Sequence, residues 1–161
     1  PSLNKPTGLI TMSNLNKFYT EVVGVLTNQT ISSVEWNDSR SSGVPIYSLS
    51  NGDKISLRIG VSISDYDLFC SYTHNQQKES YYIDYSDSIG EPLPKINEGV
   101  SVHSADMLSG CTATTITKVQ IVGNGQEACI RLILSNDSHI VYYTSYGSPE
   151  CSVTFHKNPN T

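Results

Sequence analysis

Lys54-Ile55-Ser56-Leu57-Arg58-Ile59-Gly60-Val61-Ser62-Ile63-Ser64 alternates apolar with polar or small residues throughout. Successive strand residues point to opposite sides of a sheet, so this spacing of two predicts a strand with one face in a core. Asn51-Gly52 separates it from Val44-Pro45-Ile46-Tyr47-Ser48-Leu49. An Asn-Gly pair between two such runs predicts a tight hairpin, because both residues tolerate positive φ. Further along, Gly123-Asn124-Gly125 stands between residues 115–122 and 127–134, and Asn136-Asp137-Ser138 joins 130–134 to 140–144. Residues 151–155 read as the last strand, with Val153 and Phe155 on one face. Other strands are expected at 18–26, 31–36, 68–72 and 81–85. The first of these also carries a helical spacing in Leu15, Phe18, Val22 and Val25, but Thr20 and Val22-Val23 are poor helix formers. It is therefore read as a strand. Residues 88–106 contain Pro92, Pro94 and Gly99 and read as an irregular connection, with one turn of helix near 104–108. No internal repeat is visible. Many short strands separated by turns predict an all-β domain, a sandwich or barrel, with at most one or two short helices.

Composition agrees. Ala, the best helix former, occurs only at Ala105, Ala113 and Ala128 in 161 residues. Charged residues make up 16%, below the quarter usual in globular proteins, and Ser and Thr supply the missing polarity. The length suits one domain spanning residues 1–161.

Cys70, Cys111, Cys129 and Cys151 form an even set with no C-x-x-C spacing, which predicts two disulfides in any of three connectivities. Asn28-Gln29-Thr30, Asn37-Asp38-Ser39 and Asn136-Asp137-Ser138 are N-glycosylation sequons at Asn28, Asn37 and Asn136. Together they predict a secreted, extracellular glycoprotein. No apolar run approaches the ~20 residues that span a bilayer. The start at Pro1 reads as a mature product or an excised domain.

Catalytic and metal motifs do not emerge. His74, His103, His139 and His156 are scattered, without the close spacing that brings two ligands to one metal. Phosphate-binding loops and nucleophile elbows do not occur, and Asp65-Tyr66-Asp67 lacks the further oxygen ligands of a calcium loop. The reading is a binding protein without cofactor or metal.

Charge is more informative. Between residues 65 and 106, Asp65, Asp67, Glu79, Asp84, Asp87, Glu91, Glu98 and Asp106 face only Lys78 and Lys95, a balance of −6. The other seven acids and eight bases come to +1. Tyr66, Tyr72, Tyr81, Tyr82 and Tyr85 are interleaved with those acids, and tyrosine is common at protein interfaces. The candidate contact residues are therefore Asp65, Asp67, Glu79, Tyr82, Asp84, Asp87, Glu91 and Glu98. The expected partner is a basic protein, drawn in by complementary potential. Nucleic acid is disfavoured, since its ten Lys and Arg are dispersed.

Four stretches carry a family resemblance: Phe18-Tyr19-Thr20-Glu21-Val22-Val23, Asp67-Leu68-Phe69-Cys70, Ile83-Asp84-Tyr85-Ser86-Asp87-Ser88-Ile89-Gly90 and Leu108-Ser109-Gly110-Cys111-Thr112. With these the chain resembles the poxvirus SECRET domain, the C-terminal part of viral tumour-necrosis-factor receptor homologues. The resemblance implies a β-sandwich like that of the poxviral secreted chemokine-binding proteins. It also implies sequestration of host chemokines, small and basic, in a way that blocks receptor engagement and leukocyte recruitment. Tumour-necrosis-factor receptor repeats would precede such a domain in the full-length protein. The rival expectation is a sibling viral sandwich that retains a host receptor or antigen-presenting protein in the secretory pathway.

Overall fold

A computed structural model of the chain describes residues 13–38, 43–62, 66–83, 99–123 and 126–158. Among these residues the fold is an all-β sandwich of two antiparallel five-stranded sheets, with two short helices. The first sheet runs in chain order: β1 (Ile31–Asn37), β2 (Val44–Leu49), β3 (Lys54–Val61), β4 (Leu68–His74) and β5 (Gln77–Ile83). The second is ordered β6-β10-β9-β8-β7, from β6 (Val100–Ser101), β7 (Ile116–Gly123), β8 (Glu127–Leu134), β9 (His139–Ser145) and β10 (Ser148–His156). Ile55, Leu57 and Ile59 of β3 are buried as their alternation requires, and β3 packs across β9 and β10.

Residues 18–26 are not a strand. They belong to α1 (Asn14–Leu26). The Ser13 hydroxyl accepts from the Asn16 N–H at 3.1 Å and starts the helix. Leu15, Phe18, Val22 and Leu26 then fall on one face, all fully buried. Propensity differences of a few tenths of a kcal/mol per Thr or Val are small beside the burial of that stripe. The helix rests on β4, β5 and β7, on the flank where the two sheets meet.

The chain contains a repeat that its sequence hides. Thr30 and Thr115, 85 positions apart, form an antiparallel bridge, and their hydroxyls lie 3.0 Å from one another. Around them most backbone hydrogen bonds have a twin at the same offset. Asn28 N–H donates to Ile116 O, and Ala113 N–H to Ile31 O, both at 2.7 Å. Ile31 N–H donates to Thr114 O and Ile116 N–H to Gln29 O, both at 2.9 Å. Asn28 and Ala113 share left-handed backbone, φ 66° and 69°. The bulge between Ile31 and Ser33 recurs between Ile116 and Lys118. The second member of the helix pair is a 3₁₀ helix, Ala105–Cys111, at the place where the irregular connection was expected to turn helical. Among the described residues β1–β3 and β7–β9, each preceded by the end of a helix, thus repeat one backbone plan, clasped through Thr30 and Thr115.

The hairpins follow the same rule. Leu49-Ser50-Asn51-Gly52-Asp53 and Leu134-Ser135-Asn136-Asp137-Ser138 close with matching bonds: the fifth residue's carbonyl accepts from the Leu N–H, and the third residue's side chain accepts from the fifth N–H. Each has one left-handed residue, Gly52 at φ 97° or Asp137 at φ 64°, so the expected positive φ falls on Gly52 and not on Asn51. The β4–β5 hairpin escaped the sequence reading. Its turn is Asn75-Gln76 with both φ positive, 50° and 74°, as a type I′ turn demands.

All four cysteines are buried and no disulfide joins them, where a pair of bridges was expected. Their placement gives the reason. Cys70, Cys111 and Cys151 belong to the central core. Cys129 lies between Ala128 and Ile130, whose side chains enter that core, so strand alternation turns its own to the outer face of β8. A second bridge would need that thiol to pass through its own sheet. Burial pushes the Cys111, Cys129 and Cys151 thiols up to about 11.

Candidate functional site

The acidic quarter divides in three. Asp65, Asp84, Asp87, Glu91 and Glu98 lie outside the described residues, as does Tyr85. Asp67 and Tyr82 come together at one end of the first sheet. Glu79 stands apart, because it is the register partner of Tyr72 and shares the face turned toward α1, whereas Tyr82 is the partner of Phe69 on the opposite face.

The meeting of Asp67 and Tyr82 follows from sheet register. β3 ends at Val61, opposite Leu68, and Leu68 is in turn opposite Ile83 at the end of β5. Two bonds tie Ser62 to the residues before β4: Ser62 N–H to Asp67 O and Tyr66 N–H to Ser62 O, both 2.8 Å. Tyr66 is left-handed at φ 57°, a conformation that costs a bulky residue on the order of 1–2 kcal/mol. Its side chain is 72% exposed and that of Tyr82 52%. Two open aromatic residues and one carboxylate therefore crown this end. Tyr82 is fixed from behind, since its carbonyl accepts from Asn14 Nδ2 of α1 at 2.9 Å.

The other tyrosines of this quarter have a different task. Tyr72 and Tyr81 donate to the Glu21 carboxylate of α1 at 2.7 and 2.8 Å. They fasten the helix to the sheet and are not available as a contact face. Burial, then the Glu21 bond, raises Tyr72; for Tyr81 the Glu21 bond comes first and pushes it up to about 12.

Across the outer side of β3, β4 and β5 runs an open groove of about 990 Å³. Ser56, Ser71 and Ser80 line it, with Phe69 and Tyr82 toward the crowned end. Gly60 lies on its floor where neighbours approach closely: a Cβ there would stand 3.2 Å from the Phe69 ring and 3.3 Å from the Pro149 carbonyl, tighter than ordinary contact. Arg58 and Lys78 also border it, so the groove is not the acidic surface the charge count suggested.

At the other end of the first sheet the β2–β3 and β4–β5 turns are bonded together. Asn75 Nδ2 donates to Asp53 Oδ1 at 2.9 Å, and His74 Nε2 lies 3.4 Å from Asp53 Oδ2. The Asn75 bond, more than any other cause, holds the Asp53 carboxyl below its usual range. Deep between the sheets, the Tyr47 and Tyr142 hydroxyls bond to one another at 2.6 Å. Desolvation drives both well above the ordinary phenol range.

Asn28 and Asn136 are exposed, and Asn37 is half-buried at the end of β1. The threonine and serine of the two exposed sequons are engaged: Thr30 with Thr115, and Ser138, buried, with the Asn158 N–H. Among the described residues no three His, Cys, Asp or Glu side chains are placed to hold a metal ion. No helix among them is long and apolar enough to cross a membrane. No family model, curated protein or solved structure matches the chain.

Proposed function

We propose that the chain is a secreted viral decoy that captures small basic proteins, host chemokines, at the crowned end of the first sheet. The observation that carries the reading is the grouping of exposed Tyr66 and Tyr82 with Asp67 on a strand end whose backbone is fixed. Aromatic anchors on rigid strands bind without a large ordering cost, and a carboxylate beside them favours a cationic partner. The SECRET-like stretches point the same way, and one of them, Asp67-Leu68-Phe69-Cys70, runs from this end into β4. The mechanism is occlusion: the partner's receptor-contacting surface is covered, and no bond is made or broken.

Binding of a chemokine panel at two ionic strengths tests it. Tyr82→Ala is expected to weaken capture by about 1–2 kcal/mol, chiefly through faster dissociation. Asp67→Lys is expected to slow association and flatten its salt dependence. Wild-type kinetics in both variants would remove this end of the sheet as the contact.

A further inference from the structure

We propose that Tyr66 is a site of tyrosine O-sulfation, and that the sulfate ester completes the anionic contact offered to a basic partner. The inference rests on the secretory reading above, because tyrosine sulfation takes place in the lumen of that pathway.

Three observations single out this side chain. Its sequence neighbours are Asp65 and Asp67, and carboxylates on both sides of a tyrosine are what a sulfotransferase with a cationic cleft would recognise. Its ring is the most open of the large apolar and aromatic side chains among the described residues, at 72% exposure. Its N–H donates to the Ser62 carbonyl at 2.8 Å, so the backbone that carries the ring is tied to the end of β3.

The other described tyrosines lack this combination. Tyr47 and Tyr142 are buried against each other. Tyr72 and Tyr81 are bonded to Glu21, and Tyr143 to Glu127. Tyr82 and Tyr146 are exposed and Tyr19 is half-buried, but none of the three has an acid beside it in sequence.

The step balances without a redox change. The Tyr66 phenol oxygen attacks the sulfur of a phosphosulfate anhydride, forming an O–S ester bond. The bridging S–O bond breaks, the nucleotide bisphosphate leaves, and the phenolic proton passes to a base of the transferase. As with phosphorylation, the product carries charge and acceptor oxygens that the phenol lacks. Placed beside Asp67, that charge deepens the negative potential at the end of the sheet, where association with a cationic protein is steered.

The test uses the folded chain, purified without the modification, incubated with a tyrosylprotein sulfotransferase and a radiolabelled phosphosulfate donor. The expected result is a single label, lost in Tyr66→Phe, kept in Tyr82→Phe and reduced severalfold in Asp67→Asn. Labelled and unlabelled chains are then compared for association with a basic chemokine at low salt, where a two- to fivefold faster rate is expected. No incorporation, or label that survives Tyr66→Phe, overturns the site. Label at Tyr66 with an unchanged association rate overturns its role in the contact. If neither form binds any chemokine, the binding reading of the preceding section falls, while label at Tyr66 still supports the site.

Discussion

The two copies of the unit use one backbone plan and different side chains. In the first, thirteen residues of α-helix precede the clasp; in the second, seven residues of 3₁₀ helix fill that place. In the first, the hairpin turns on Gly52; in the second, on Asp137. The buried phenols are also unequal. Tyr47 of the first copy corresponds by position to Leu132, and Tyr142 of the second corresponds to Leu57. The paired backbone bonds of Asn28 with Ala113 and of Ile31 with Ile116 have equal lengths, 2.7 and 2.9 Å, while many side chains at equivalent positions differ. Backbone pairing therefore defines the unit, and side chains specialise it.

The largest expected effect tests the helices. Phe18 is fully buried under α1, and Phe18→Ala should lower the stability measured by urea unfolding by about 3–5 kcal/mol. Leu108→Ala, in the shorter helix of the second copy, should cost about 2–5 kcal/mol, toward the lower end. Equal losses would mean that the extra turns of α1 add no packing.

A smaller effect tests the phenols. Tyr47→Phe or Tyr142→Phe alone leaves one buried hydroxyl without its partner and should cost about 1–3 kcal/mol. The double change removes both hydroxyls and should cost less than the sum of the two, which a double-mutant cycle reads directly. Strict additivity would show that the 2.6 Å bond does not couple the sheets.

The smallest effect concerns the turns. Gly52 sits in open space, so Gly52→Ala meets only the strain of a left-handed backbone, about 1–2 kcal/mol. Asp137→Gly relieves that strain but frees the unfolded chain, and should change stability by less than about 0.5 kcal/mol. Matching penalties at the two positions would contradict the shared turn geometry.

The sandwich was legible because β3, β7, β8 and β9 carry both alternation and turn residues. The helix was not, since Thr20 and Val22-Val23 favour a strand, and only the burial of the Leu15, Phe18 and Val22 face shows that their helical spacing prevails. The repeat left scattered identities at one common offset: Thr30-Ile31 with Thr115-Ile116, Leu49-Ser50-Asn51 with Leu134-Ser135-Asn136, and the single matches Thr27 with Thr112, Val34 with Val119 and Ile55 with Ile140. The first two sets are the residues whose backbone conformation matters most, and all together are too few to register as a repeat. At the candidate site, Asp67 and Tyr82 were legible from charge and composition. Tyr66 was passed over because exposure at a turn is a property of the folded chain. Tyr72 and Tyr81 misled, because a tyrosine bonded to a helix carboxylate and one awaiting a partner look alike in sequence. Cys129 misled similarly: an even count says nothing about which side of a sheet each thiol occupies.

The clasp also sets an order of events during synthesis. Asn28 and Ile31 find their backbone partners only when residues 113–116 have left the ribosome, long after the first copy has emerged. Until then α1 lacks one of its supports, β7, and the backbone groups of Asn28 and Ile31 at the start of β1 have no partners. An unpaired strand edge invites association with other nascent chains. Contacts of such separation also make folding slow. A growing chain halted before residue 113 would therefore be the species that chaperones hold, and the emergence of residues 113–116 is the moment at which the clasp can close.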